Sequence, residues 1–255
     1  MRNRLLLLGF LIVSLPTQAE LQLNESGYFE APGLNVIVFD DIYPEGHQTG
    51  VTVIQHGVRV AANGDLRLEA SPGQWSPVPK AGERTVDREA QSISQAMAYP
   101  DPDRDRKGFN PIVYPDLDLG YSVRVTPQKG NSFRIVVDLD EPLPDEWVGK
   151  VGFNFELFPG TLFGKAWLLD DQAGHFAVQP NGPLATADDE TIAVPLATGR
   201  QLIVAPDDPM QRLHVEAKTG SLELLDGRTN HNNGWFIVRT ACLLYTSPSP
   251  RDFSC

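Results

Sequence analysis

From residue 34 onward the chain is built of short runs in which apolar and polar residues alternate. The runs are LNVIVF (34–39), GVTVIQHGVRVA (50–61), DLRLEA (65–70), YSVRVT (121–126), FRIVVDL (133–139), VGFNFELF (151–158), QLIVA (201–205), RLHVEA (212–217), SLELL (221–225) and WFIVR (235–239). Leu66 and Leu68 against Arg67 and Glu69, or Leu213 and Val215 against His214 and Glu216, show a period of two, which makes a strand with one buried and one wet face. Between the runs stand Asn63-Gly64, Lys129-Gly130-Asn131, Thr219-Gly220 and Asp226-Gly227, residues that supply the positive φ of tight hairpins. With 21 prolines added, little room is left for long helices. The stretch 87–98 contains good helix formers but alternates at Ile93, Gln95, Met97 and Tyr99, and reads as a strand. Residues 71–86, 100–116 and 177–195 read as loops. The expected fold is all-β, an antiparallel β-sandwich over residues 20–241, as one sandwich or two.

The two ends do not share this pattern. Arg2 and Arg4 precede an apolar run that closes on Pro16 and Thr17-Gln18-Ala19, the layout of a secretory signal peptide over 1–19. The run is shorter than the roughly 20 residues of a spanning helix. The expected product is therefore exported, to a periplasm or the medium, with no membrane contact after cleavage. At the other end CLLYTSPSPRD (242–252) resembles one reading frame of a transposase adapter used to prepare short-read sequencing libraries. On that resemblance 242–255 is an artefactual tail and the natural chain continues past Ala241. The only cysteines, Cys242 and Cys255, lie in this tail and carry no redox or metal argument.

Charge narrows the partners further. A formal net charge of −12 repels phosphate backbones, which argues against nucleic acid. Neutral polysaccharides are not repelled, although acidity serves solubility equally well.

Few patterns carry chemistry. Asp101, Asp103 and Asp105 resemble the start of a calcium loop, but Arg106 stands where Gly is needed and Ile112 where Glu is needed, so the stretch reads as a solvated loop. Asp40-Asp41 and Asp170-Asp171 are sequence neighbours, which point to opposite faces of a strand and do not flank a glycosidic bond. His47, His56, His175, His214 and His231 lack metal-ligand spacing, and no nucleophile elbow, zinc-protease or phosphate-loop pattern occurs. The expectation is no catalytic residue, no metal and no cofactor. Aromatic residues offer more, since flat apolar rings stack on sugars. The candidate carbohydrate contacts are Trp75, Trp167 and Trp235, with Lys165 beside Trp167; for Trp147 and Trp235 packing at strand ends is the competing reading. Pro159-Gly160 reads as a turn and Gly164 as a close backbone approach.

At GFNPIVYPDLDLGYSVRV (108–125), VGFNFELFPGTLFGKAWLLDDQAGHFAVQPNGP (151–183) and LLDGRTNHNNGWFIVR (224–239) the chain resembles the β-rich region that precedes the catalytic part of bacterial glycoside hydrolases of family nine, the cellulase type. The resemblance spans most of 28–241. It implies a parent enzyme whose inverting chemistry, an Asp base and a Glu acid, sits on a downstream (α/α)6 barrel. None of those residues maps onto this chain. The implied role is a non-catalytic accessory region whose partner is a polysaccharide or the missing catalytic domain. A free-standing carbohydrate-binding module and a spacer docking on a catalytic domain are the alternatives.

Overall fold

A computed structural model describes residues 20–41, 50–68, 77–101, 117–187, 190–229 and 234–241. The chain opens with β1 (Gln22–Leu23), β2 (Phe29–Ala31), β3 (Leu34–Val38), β4 (Val51–Gln55) and β5 (Val58–Leu68). It continues through β6 (Lys80–Asp87), β7 (Ser92–Tyr99), β8 (Leu119–Gln128) and β9 (Ser132–Leu139) to β10 (Val151–Leu157). After one helical turn, α1 (Pro159–Leu162), come β11 (Ala166–Leu169), β12 (Gln172–His175), β13 (Leu184–Ala187), β14 (Glu190–Ala193), β15 (Ala197–Gly199), β16 (Gln201–Val204), β17 (Leu213–Glu216), β18 (Ser221–Asp226) and β19 (Phe236–Ala241).

Nine strands form one antiparallel sheet in the order β1-β2-β3-β4-β5-β10-β19-β18-β15. Two four-stranded sheets, β6-β7-β8-β9 and β12-β11-β16-β17, complete the sandwich, with β13 and β14 as a separate hairpin. A single apolar core runs through all three larger sheets, from Phe29 and Val36 through Ile93, Tyr121 and Val123 to Leu169, Leu202 and Phe236. This is the all-β antiparallel sandwich that the alternation predicts. Among the described residues no helix is long and apolar enough to cross a membrane.

The central strands explain the apparent irregularities of the sequence. β10 is buried along its whole length because it has a neighbour on each side and cover on both faces. Its apolar set, Val151, Phe153, Phe155 and Leu157, alternates with Asn154 and Glu156, which lie opposite Asp65 and Ala62 of β5. The register slips between those two pairs, so β5 carries an extra residue there. Asn63, at φ 55°, takes the left-handed conformation of this bulge.

Asn63-Gly64 is therefore not the hairpin turn that the sequence suggests. Residues 51–68 instead form one hairpin that turns at His56-Gly57, both with positive φ, and its second arm is the 11-residue β5. Likewise the loop expected at 71–86, of which 77–86 are described, holds all of β6 but Asp87, and that expected at 177–195 holds the β13–β14 hairpin. The strand expected over 87–98 is realised as β7, after a turn at 88–91. Pro159-Gly160 opens α1 rather than a simple turn, with Pro159 at a helix start, where its missing N–H costs nothing. Gly164 is not a close approach, since a Cβ there would meet nothing within 4 Å; its φ of 77° is what requires glycine.

Candidate functional site

Residues from the separated motifs meet at one end of β10, β18 and β19. Asp226 closes β18 with its side chain fully buried, and Arg228, two residues on, folds back over it. The guanidinium donates from Nε to Asp226 Oδ1 and from Nη2 to Oδ2, both at 2.8 Å, the paired geometry that makes arginine–carboxylate contacts strong. Its remaining N–H groups reach the carbonyls of Val178 (2.9 Å) and Ala177 (2.7 Å), some fifty residues earlier. The rings of Phe236 and Phe163 lie 4.4 and 5.2 Å from the guanidinium carbon, within cation–π reach. Phe176 packs edge-on against Phe236 at 4.7 Å. This arginine thus ties together α1, the segment 176–183 and the β18–β19 connection.

Three of the four residues nominated as sugar contacts sit in this lobe. Trp167 on β11 is only 6 % exposed, and its cross-strand partner is Gly174, where a Cβ would overlap the indole ring. The glycine lets the neighbouring backbone lie directly on the ring, so the indole is enclosed rather than presented to solvent. Its Nε1 is buried without a hydrogen-bond partner. Lys165 is half-buried and ion-paired with Asp208. That hydrogen bond, with a second from the Met210 N–H, holds the Asp208 carboxyl below the usual carboxylate range. Trp235 is half-buried against Phe158, ring centroids 4.8 Å apart, and its carbonyl accepts from the Gly227 N–H across the hairpin. Trp75 lies outside the described residues, as do Asp103 and Asp105 of the calcium-like loop. Among the described residues no group of three or more His, Cys, Asp or Glu is placed to hold a metal.

A second polar cluster, not anticipated from the sequence, lies where β5 meets β7 and β8. Asp65 is 2 % exposed; its Oδ1 accepts from the Leu66 N–H (2.7 Å) and from the Tyr121 hydroxyl (3.1 Å), which reaches across from β8. The Tyr99 hydroxyl bonds the carbonyls of Pro77 and Leu66, and the two tyrosine rings stack 6.0 Å apart. Burial raises the Asp65 carboxyl to about 6, although Arg67 and the two hydrogen bonds pull it down. Burial, followed by Asp65, pushes Tyr121 well above its ordinary value. For Arg67 burial opposes the charge, but Glu156, then Asp65 and the tyrosines, outweigh it and raise its pKa. Asn63 Nδ2 donates to Glu156 Oε2, which links β5 to β10. Each hydrogen bond of this cluster ends on another buried group, so the cluster joins sheets and is not displayed in a cleft.

An open hollow of about 560 Å³ lies elsewhere, at the β1–β3 edge. Gln22, Glu30 and Asn35 stand opposite one another across its three strands, with Glu20, Asn24 and Pro32 at the rim. It offers amide and carboxylate groups without an aromatic face. No family model, no curated protein and no solved structure matches this chain.

Proposed function

We propose that this chain is the non-catalytic β-sandwich region of an exported polysaccharide-degrading glycoside hydrolase of the β-glucan or cellulose class, with hydrolysis carried by a separate (α/α)6 barrel of the same enzyme. The observation that carries the non-catalytic part is the fate of the motif residues. Asp226, Arg228, Phe163, Phe176 and Phe236 direct their polar atoms and rings at one another, and Trp167 is enclosed under Gly174. Residues arranged in this way hold strands together, and Asp226, the acid among them, is engaged by Arg228.

Within that reading the chain acts as a spacer against its catalytic partner. Exposed Phe163 and the backbone of exposed Val178 meet at Arg228, which gives this end of the sandwich an apolar surface. Two measurements on one gene test the proposal. The purified protein releases no reducing sugar from any β-glucan, and the source DNA read beyond codon 241 continues into a helical barrel. Hydrolysis by this chain alone, or a stop codon in the natural frame, overturns it.

A further inference from the structure

The two edges of the sheet β6-β7-β8-β9 are built differently. The β6 edge is guarded: its register with β7 shifts between Ala81 and Arg84, it carries Lys80, Glu83, Arg84 and Asp87, and Arg84 is tied to the carbonyls of Val38 (2.8 Å) and Gly27 (2.6 Å) on the large sheet. Bulges and charges of this kind block unwanted strand pairing. The β9 edge has neither a bulge nor a break. Its eight residues pair with β8 without interruption, from Tyr121 opposite Leu139 to Gln128 opposite Ser132. Among the described residues no strand lies on its other side.

The hydrogen-bond pattern fixes which backbone groups are open. Asp140 N–H donates to Gly120 O at 2.9 Å, and these two continue the register as an opposed, bonded pair. Bonded and non-bonded pairs alternate in an antiparallel ladder. Ser132, Arg134, Val136 and Asp138 therefore point their N–H and C=O groups at β8, while Phe133, Ile135, Val137 and Leu139 point theirs outward. Pro127, opposite Phe133, agrees with this assignment because it has no N–H to give. The outward-pointing residues are also those whose side chains extend the apolar core to the edge.

We propose that β9 is an interface through which two copies of this chain pair edge to edge, antiparallel about a two-fold axis at Val136. The strand SFRIVVDL is self-complementary in that one arrangement. Ile135 then faces Val137 of the second copy and Phe133 faces Leu139, all with outward N–H and C=O groups available to bond. On the opposite face Arg134 meets Asp138 of the second copy, twice by symmetry, and joins Arg124 of β8, which holds Asp138 within its own chain at 2.9 Å. Sliding the pair by the next allowed step sets Asp138 against Ser132 or Val136 and loses this match. The two four-stranded sheets become one of eight, with the apolar face continuous across the axis. This inference is independent of the functional reading above.

The test uses the purified protein in reductant, so that Cys242 and Cys255 cannot cross-link, with sedimentation and amide exchange followed over a concentration series. The expected result is a reversible dimer in which the Ile135 and Val137 amides are protected when concentrated and exchange freely on dilution. A monomer throughout, or a dimer whose Ile135 and Val137 amides stay unprotected, overturns the proposal. With Arg124→Ala in every protein compared, so that the in-chain Arg124–Asp138 pair does not enter, Arg134→Asp weakens the dimer about tenfold, and adding Asp138→Arg restores it to within about threefold. Failure of that rescue, in variants with unchanged circular dichroism, overturns the register.

Discussion

Asp226 and Asp65 are both buried aspartates of the nine-stranded sheet, and they are satisfied in opposite ways. Asp226 has a full counter-charge two residues away, held in paired hydrogen bonds and sandwiched by phenylalanines. Asp65 leans on a tyrosine hydroxyl and a backbone N–H, and its carboxyl is pushed up to about 6 by burial. One site is a brace between a carboxylate and a guanidinium in paired contact. The other is a joint between sheets that is tightest when its acid holds a proton. A buried carboxylate is thus no sign of catalysis until its partners are counted.

The contrast can be broken most forcefully at the brace. Arg228→Met leaves Asp226 buried without its counter-charge and is expected to cost about 3–5 kcal/mol in denaturant unfolding. A loss below about 1 kcal/mol would mean that the pair is solvated and the brace is not structural. The joint gives the next effect. Its folded pKa of about 6 lies above the ordinary 3.8, so the folded state holds the proton more tightly. The Asp65 contribution to stability is therefore fully present below about pH 3.8, falls as pH rises, and is lost by about pH 6, a change on the order of 3 kcal/mol at most. Subtracting the unfolding curve of Asp65→Asn from that of the parent between pH 4 and 7 isolates it; a difference that is flat or rises with pH would refute the joint. The smallest effect belongs to Lys165→Ala, because its pair with Asp208 is partly exposed. The unfolding midpoint should stay within replicate scatter while the Asp208 carboxyl returns toward its ordinary pKa in an NMR titration.

The sandwich was legible where alternation ran long enough to be read. β8, β9, β10, β18 and β19 follow directly from Leu, Val, Ile and Phe at every second position. β11 and β12 escaped notice because four residues such as AWLL contain no alternation that tells the inner face from the outer. Asn63-Gly64 misled because a positive φ serves a bulge as well as a turn, and only the partner strand distinguishes the two. The same limit governs the candidate site. Trp167 attracted attention as a flat ring, but its burial depends on Gly174 across the strand pair. Arg228 follows the turn signal Asp226-Gly227 and carries no pattern of its own in the sequence, since its bonds to Ala177 and Val178 exist only in three dimensions.

The central claim is that the motif lobe is a scaffold and not a sugar platform. Affinity electrophoresis through soluble β-glucans tests it most directly, with the parent protein run beside Trp235→Ala, the half-buried aromatic of the lobe. The account predicts equal mobility for both proteins with and without glucan. Retardation of the parent that disappears in Trp235→Ala would contradict it and make this lobe a carbohydrate-binding site.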